Sequence, residues 1–128
     1  MTEKKNIDLL GIGNAITDIL VKVDYNFLEK MKLNIGAMQL TDYETINKTI
    51  NLFKDTKVSA GGSVANTISM VANLGNRCAF IGRRKNDTQG KLFSDSMSSS
   101  NILLPNSEVE FGKASSTCLV MITPNGER

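Results

Sequence analysis

The sequence predicts an α/β fold in which strands and helices alternate around a mostly parallel sheet, with a small flap of further strands. Three observations support this expectation. Short apolar runs typical of buried strands are followed by stretches with helical periodicity. Glycine-rich turns separate the two kinds of segment. Two strand patterns, at residues 16–23 and 37–40, lie close together and interrupt the alternation, so they predict the flap.

The first half of the chain is expected to begin with a buried strand at residues 7–12, which ends at a glycine-rich turn. Residues 16–23 alternate, so that Thr17, Ile19, Val21 and Val23 share one face and Ile16, Asp18, Leu20 and Lys22 share the other. A short helix is expected at 26–31 and a strand at 37–40. Thr41 and Glu44 have the spacing of a capping box and predict the start of an amphipathic helix.

The second half continues with a strand at 57–59 and a glycine turn that opens a helix, for which Gly75 is the predicted stop. Asp87 is expected to cap a later helix that runs to about residue 98. Further strands are expected at residues 77–81, 102–104 and 117–122. Strands alternating with helices in this order favour a parallel sheet.

Composition excludes several classes of function. The chain has 128 residues, 41% of them hydrophobic and 22% charged, which is typical of one globular domain. The net charge is +2, and no dense basic stripe indicates a nucleic-acid or membrane surface. The chain contains no histidine, so a Ser-His-Asp or Cys-His device is impossible within it, and no metal site is expected.

Cysteine usage and hydropathy indicate a cytoplasmic protein. Cys78 and Cys118 lack Cys-x-x-Cys spacing and are expected to be reduced, small apolar residues. The apolar stretch near the amino terminus is short and carries Asp8, so it does not resemble a signal peptide. No run approaches the roughly 20 apolar residues of a membrane span.

The candidate binding motif with the most distinctive pattern is the glycine turn at residues 60–66. Gly61, Gly62 and Ser63 stand between a strand and a helix, where missing Cβ atoms let a ligand approach the backbone. Asn66, one turn into the helix, offers a donor and an acceptor to a hydroxyl group. A tight strand-to-helix turn with a surface asparagine explains the same residues without a ligand.

A second candidate lies at Gly11, Gly13, Asn14 and Asp18. It does not match a dinucleotide fingerprint, because Ile16 stands where the third glycine belongs. An ionised carboxylate only accepts hydrogen bonds, so Asp18 suits the two O–H donors of a vicinal diol. A water-facing aspartate at a strand end is the alternative. The segment 82–90 is explained mainly by Asp87 as a helix cap.

Taken together, these motifs carry a family resemblance. Residues 11–18 (Gly-Ile-Gly-Asn-Ala-Ile-Thr-Asp), 60–66 (Ala-Gly-Gly-Ser-Val-Ala-Asn) and 80–90 are similar, in order and spacing, to the N-terminal part of ribokinase-like (PfkB-type) carbohydrate and purine nucleoside kinases. The resemblance spans essentially all 128 residues. Asn14 ahead of Asp18 and the insert that includes 37–40 look more like adenosine kinases than ribokinase.

The resemblance implies a Rossmann-like, mostly parallel sheet with flanking helices and a small β lid, truncated relative to the full family fold. Residues 1–128 would form the N-terminal part of the kinase domain. The implied substrate-binding residues are Asn14, Asp18, Gly61, Gly62, Ser63 and Asn66. The implied lid strands are 16–23, 37–40 and 117–122, with Met38, Leu40, Cys118 and Val120 facing the substrate.

The family's second signature, Asp-Thr-x-Gly-Ala-Gly-Asp, provides the base and an anion hole. Asp87 to Gly90 match its first four positions, but Phe93 stands in place of the base, so the match is expected to be accidental. No catalytic residue is therefore assigned. The resemblance implies ATP and Mg²⁺ in the complete enzyme, with neither bound tightly by this chain. Arg84 and Lys85 also depart from the family, which often has an apolar residue and a glycine there.

The leading hypothesis is ATP-dependent phosphorylation of adenosine or another ribose-containing substrate by the complete enzyme, with this chain alone inactive. The alternative is a non-catalytic sugar-binding or nucleoside-binding module. Such a module could associate with itself or with a separate C-terminal half through an exposed sheet edge. A cofactor domain of the dinucleotide-binding type is disfavoured by the glycine spacing.

Overall fold

The computed structural model describes residues 6–128, so residues 1–5 of the predicted domain 1–128 lie outside the described part. Within it, two strands and then two helices come first, and strands and helices alternate in the rest of the chain. In chain order the elements are β1 (Leu9–Ile12), β2 (Ile16–Lys22), α1 (Tyr25–Met31), α2 (Tyr43–Ile50), β3 (Lys57–Gly61), α3 (Ser63–Asn73), β4 (Cys78–Ile81), α4 (Thr88–Ser99) and β5 (Ser116–Ile122).

The strands form two small sheets. Strand β1 pairs in parallel with β4, so that Leu9 lies opposite Cys78 and Ile12 lies opposite Ile81. The other sheet has the strand order β3-β2-β5. The parallel pair with flanking helices confirms the predicted α/β class.

The described chain divides into two compact units. Unit 1 comprises residues 6–17 and 59–117, and unit 2 comprises residues 18–58 and 118–128. Strands β2, β3 and β5 each run from one unit into the other. No described helix is both long and apolar enough to cross a membrane.

The core of unit 1 forms where α3 and α4 pack on the parallel strands. Phe80 of β4 and Phe93 of α4 are both buried, with their ring centroids 5.4 Å apart. The buried members of this core are Ala15, Ala65, Ile68, Cys78, Phe80, Phe93, Met97 and Ile102. Gly11 is part of the contact between β1 and α3, since a Cβ atom there would lie 2.6 Å from Cγ1 of Ile68.

Unit 2 has a separate core on one face of β2. Its buried residues are Ile19, Val21, Val23 and Leu28. Phe27 and Phe53 meet edge to face beside it, with ring centroids 5.2 Å apart. The predicted alternation of residues 16–23 is confirmed, because Ile19, Val21 and Val23 are buried while the intervening side chains are at least partly exposed.

Two predicted helix boundaries are also confirmed. Gly75, with φ of 92°, directly follows the C-cap residue Leu74 of α3. Asp87 caps α4 and accepts a hydrogen bond from the Gly90 amide at 2.8 Å.

Three local predictions were wrong. Residues 37–40 form no strand: Met38 and Leu40 are 86% and 90% exposed, so no buried face holds this segment in a sheet. Residues 102–104 form only a single bridge, between Leu103 and Ala79. The cap of α2 is Asp42 instead of Thr41, because the Asp42 carboxylate accepts hydrogen bonds from both the amide and the hydroxyl of Thr45.

Candidate functional site

The glycine turn at the start of α3 touches the loop that follows β1. Gly62 has φ of 93°, a conformation that favours glycine. A Cβ atom at Gly62 would lie 2.9 Å from the backbone oxygen of Asn14. The turn and the Asn14 loop are therefore in backbone contact, and both the conformation and the spacing require glycine at this position.

Two further glycines bring β1, β4 and α3 together at the same place. The Gly13 amide donates to the Ile81 carbonyl at 3.0 Å. A Cβ atom at Gly82 would lie 2.6 Å from the Gly13 oxygen, and one at Gly13 would lie 2.8 Å from Cβ of Val64. Asn14 and Gly82 each follow the end of a strand of the parallel pair. The contact thus lies at the carboxyl edge of that pair, where α/β proteins bind ligands.

Ser63 and Asn66 stand on the exposed first turn of α3. The Asn66 amide donates to the Gly62 carbonyl at 2.9 Å, which fixes the start of the helix. The side chains of Asn14 and Asn66 are exposed, and neither makes a hydrogen bond to another residue of the described part. Unit 1 therefore brings the backbone of Asn14, the glycine turn and the first turn of α3, which carries Asn66, into one patch, and the side-chain amides of Asn14 and Asn66 are both exposed.

Asp18 lies in unit 2, on the face of β2 that points away from the unit 2 core. Leu119 and Met121 of β5 pack on that core. By strand alternation, Cys118 and Val120 lie on the opposite face of β5. That face and the corresponding face of β2 form the half-buried set Asp18, Leu20, Cys118 and Val120.

The electrostatics of this face support a close arrangement of Asp18 and Cys118. Burial raises the pKa of the Asp18 carboxyl group, because desolvation disfavours its charged form. Burial and then the charge of Asp18 raise the pKa of the Cys118 thiol. O–H donors would stabilise a partly desolvated carboxylate at this position, because they replace the hydrogen bonds to water that burial removes.

The remaining site predictions stay predictions. Asp18 belongs to unit 2 and Asn66 to unit 1, and their convergence on one ligand is untested. Met38 and Leu40 lie in an exposed segment without strand structure, so a covering role for them is likewise untested.

Two cavities lie near, but apart from, most of these residues. In unit 1, a cavity of about 290 Å³ is lined by Leu9, Leu10, Gly11, Ser63, Val64, Thr67 and Ile68. In unit 2, a cavity of about 390 Å³ is lined by Tyr25, Leu28, Glu29, Leu33, Asn34 and Ile35. Of the predicted site residues, only Ser63 contributes to either lining.

Sequence reasoning missed a buried polar network around segment 82–90. Arg84 is 3% exposed and donates to the Ser94 hydroxyl and to the Asn106 carbonyl, both at 2.7 Å. Its Nε atom lies 3.4 Å from the carboxylate of Glu108. The hydrogen bond from Ser94, and then the charge of Arg84, lower the pKa of Glu108 despite its partial burial. The neighbouring charges of Arg83 and Lys85 gave no indication that Arg84 is buried.

Comparison with known proteins identifies the family and the fold. A model of the pfkB family of carbohydrate kinases matches residues 31–128. The adenosine kinase from Sinorhizobium meliloti has a TM-score of 0.82 and 30% identity, over 95% of this chain and 37% of that one. A probable sugar kinase from Rhizobium etli CFN 42 has a TM-score of 0.82 and 28% identity, over the same shares.

A more distant structure shares the fold alone. The adenosine kinase from Schistosoma mansoni, in complex with adenosine, has a TM-score of 0.77 and 23% identity, over 93% of this chain and 36% of that one. A search of curated proteins found no match. The chain therefore spans 37% of the length of the first kinases that it resembles. The family match covers most of the sequence and confirms the predicted resemblance, so the chain belongs to the pfkB family of carbohydrate kinases.

Proposed function

We propose that this chain supplies the acceptor-binding part of a kinase that transfers the γ-phosphoryl group of ATP, with Mg²⁺, to a hydroxyl group of a sugar or nucleoside. Adenosine and other ribose-containing molecules are the proposed acceptors. Membership of a carbohydrate kinase family and the fold shared with adenosine kinases support this proposal. The activity of the whole protein is a proposal, because the chain spans 37% of the first structure's length.

The observation that carries the proposal is the patch in unit 1. Gly62 and Asn14 touch at the carboxyl edge of the parallel strands, and the exposed amides of Asn14 and Asn66 flank that contact. An amide side chain offers both a donor and an acceptor to a sugar hydroxyl group. Gly62 lets the Asn14 loop approach the start of α3, and Ser63 and Asn66 remain exposed beside that contact.

Asp18 is the second residue that we propose to bind the acceptor. Its carboxylate can accept from two neighbouring hydroxyl groups of one ribose ring. Because its pKa is raised by burial, the charged form gains stability when such donors arrive. In this proposal Asp18 accepts from hydroxyl groups of the acceptor, and Cys118 and Val120 lie on the same face of unit 2 as Asp18.

The described residues offer no obvious base or anion hole. Asp87 caps α4, and Phe93, at the position where the second signature has its base, is 1% exposed within the core of unit 1. That geometry supports the view that the match at 87–90 is accidental. Among residues 6–128, no group of three acidic, thiol or imidazole side chains could hold a metal ion, so we assign no residue to Mg²⁺.

Isothermal titration tests acceptor binding directly. We expect adenosine or D-ribose to release heat on titration into the 128-residue chain, and NAD⁺ to release none. Heat from NAD⁺ alone would instead favour a cofactor domain. The absence of heat from both adenosine and D-ribose would contradict the proposed function.

An ATP-consumption assay tests whether this chain alone can transfer the phosphoryl group of ATP. We expect the chain alone to consume no ATP above background with adenosine and Mg²⁺, since phosphoryl transfer depends on positioned charge stabilisation that we assign to none of its residues. Measurable turnover would show that the described residues contain a base and a phosphate site.

Self-association without catalysis is a second candidate function, favoured by the exposed apolar side chains of β1. Leu10 and Ile12 are 48% and 71% exposed, although strands of parallel sheets are normally covered on both faces. Within the described part, β1 pairs with β4 alone and leaves its other edge open. Light scattering after size exclusion should then show a dimer that Ile12→Lys dissociates. A monomer at all concentrations would remove this candidate.

A further inference from the structure

Thr17 makes a polar contact that the proposed function does not use. It is 1% exposed, and its hydroxyl group donates to the backbone carbonyl of Gln89 at 2.9 Å. Gln89 is the second residue of α4. A buried hydroxyl group without a partner is costly, so this bond favours the arrangement of β2 in which Thr17 reaches α4.

Hydrogen bonds also connect α4 or its cap to β3 and to the residue that precedes β5. The Ala60 amide of β3 donates to the Ser96 hydroxyl at 3.2 Å. The amide of Ser115, the residue before β5, donates to the Asp87 carboxylate at 2.9 Å. With Thr17 of β2, each strand, or for β5 the residue before it, is therefore hydrogen-bonded to α4 or its cap on the side that belongs to unit 1.

The start of α4 is itself fixed in place. Asp87 accepts from the Gly90 amide at 2.8 Å while it also accepts from Ser115. A Cβ atom on Gly90 would clash with the Lys85 carbonyl oxygen and would lie 2.8 Å from the Ser115 hydroxyl oxygen. The first turn of α4 is thus packed directly against the backbone of Lys85, which holds the Gln89 carbonyl in place for the hydrogen bond from Thr17.

Strand geometry connects this bond to Asp18. Successive side chains of a strand point to opposite faces, so holding Thr17 on the inner face holds Asp18 on the outer one. A slip of one residue would exchange the two faces and would place the Asp18 carboxylate beside the apolar core residues. We propose that Thr17 is a positioning residue for Asp18, and that the first turn of α4 is its anchor.

This inference rests on the proposed function only in the choice of adenosine as ligand. The placement of Asp18 can be measured in the protein without any ligand. The test compares Thr17→Val, which removes the hydroxyl group but keeps the shape, with Thr17→Ser, which keeps the hydroxyl group. Thr49→Val is the matched control, because Thr49 is 8% exposed and its hydroxyl group donates at 2.8 Å within a single helix, to the Thr45 carbonyl.

Two measurements are made on each variant of the full chain: the pKa of Asp18 by carbon NMR, and the dissociation constant for adenosine by titration. We expect Thr17→Val to raise the pKa of Asp18 further above the ordinary aspartate value, because the carboxylate then lies closer to the apolar core residues. We also expect it to weaken adenosine binding by about three- to tenfold, as loss of one hydrogen bond from Asp18 to the ligand does. Thr17→Ser and Thr49→Val should leave both quantities close to those of the wild type.

An unchanged pKa of Asp18 in folded Thr17→Val would overturn the inference. If the wild type binds neither adenosine nor D-ribose, the proposed function fails, while the pKa comparison still decides the role of Thr17. If Thr17→Val does not fold, the hydroxyl proton of Thr17 is sought by NMR in the wild type. Protection of that proton from exchange, with an unchanged pKa of Asp18 in Thr17→Ser, supports the inference; rapid exchange rejects it.

Discussion

The backbone oxygen of Asn14 fills the space that a Cβ atom on Gly62 would need, at 2.9 Å. This contact connects the loop after β1, which carries Asn14, to the turn before α3, whose first turn carries Asn66. Gly62 also has φ of 93°, so two separate physical reasons require glycine there.

The two reasons can be separated by a pair of substitutions. Gly75 has φ of 92° but nothing within 4 Å of its Cβ position, so Gly75→Ala adds only backbone strain. We expect Gly75→Ala to lower the free energy of unfolding by about 1–2 kcal/mol. Gly62→Ala should cost about 1 kcal/mol more, because Asn14 must also move.

Urea denaturation of both variants measures this difference. Equal costs for Gly62→Ala and Gly75→Ala would show that the Asn14 contact has no energetic consequence. Titration with adenosine adds a second readout, since displacement of Asn14 should weaken binding in Gly62→Ala but leave it unchanged in Gly75→Ala.

Removing either proposed sugar contact should weaken acceptor binding. We expect Asp18→Ala and Asn66→Ala each to reduce the affinity for adenosine by about 1–3 kcal/mol through lost hydrogen bonds. Asn73→Ala is the matched control, because Asn73 is an exposed asparagine on the same helix as Asn66, two turns further on. Affinities of Asp18→Ala and Asn66→Ala equal to that of Asn73→Ala would leave both residues without a binding role.

The carboxylate of Asp87 should contribute to stability above acidic pH. Burial alone would raise the pKa of Asp87, but hydrogen bonds from the amides of Ser115 and Gly90, and the charge of Lys85, lower it overall. The folded pKa lies below the unfolded one, so the contribution is complete above about pH 4 and is lost as pH falls through the folded pKa.

Asp87→Asn removes this titration. We expect Asp87→Asn to lower the free energy of unfolding by about 1 kcal/mol at pH 7. The difference in this free energy between the wild type and the variant should narrow as the pH falls below about 4. Chemical denaturation at several pH values measures the difference. Asp42 and Glu108 also have lowered pKa values and remain in both proteins, so their acid titration cancels from the comparison. A difference that stays constant down to acidic pH would contradict the assignment.

Loss of the Arg84 guanidinium group should be strongly destabilising. Its side chain is 4% exposed and lies beside Glu108, so Arg84→Ala leaves a partly buried carboxylate without its cation. We expect a loss of about 3 kcal/mol in the free energy of unfolding. Arg83→Ala is the control, since Arg83 is exposed and should cost less than about 1 kcal/mol. Similar losses for Arg83→Ala and Arg84→Ala would show that burial of Arg84 is energetically unimportant.

The features that the sequence predicted correctly are those that depend on residues close together in the chain. The alternation of residues 16–23 and the cap at Asp87 are local patterns, and both are confirmed. Asn14 and the glycine turn are predicted as site residues because glycine next to amide side chains is a local sign of a ligand site, and their binding role stays a prediction. That the two motifs touch follows from the packing of α3 on β1, which no local pattern contains.

The wrong predictions concern features that depend on tertiary contacts. In residues 37–40, Met38 and Leu40 alternate with Ala37 and Gln39 as in a strand, but the segment contains no β-branched or aromatic residue and buries no face. Burial could not be judged from those four residues alone. Arg84 lies in a charged triplet typical of a solvated surface, yet Ser94, Asn106 and Glu108 surround it. The bond from Thr17 to Gln89 joins distant parts of the chain, so no local pattern reveals it.

The exposure of segment 37–40 also determines how the protein responds to peroxide. Met38 and Met70 are 86% and 63% exposed, whereas Met97 is 1% exposed inside the core of unit 1. Thioether sulfur atoms react with peroxide according to their accessibility, so sulfoxide should form at the two surface methionines long before it forms at Met97. Each added oxygen turns an apolar side chain into a polar one. Met38 thus makes a segment without regular structure one of the first parts of the molecule to change chemically under oxidative stress.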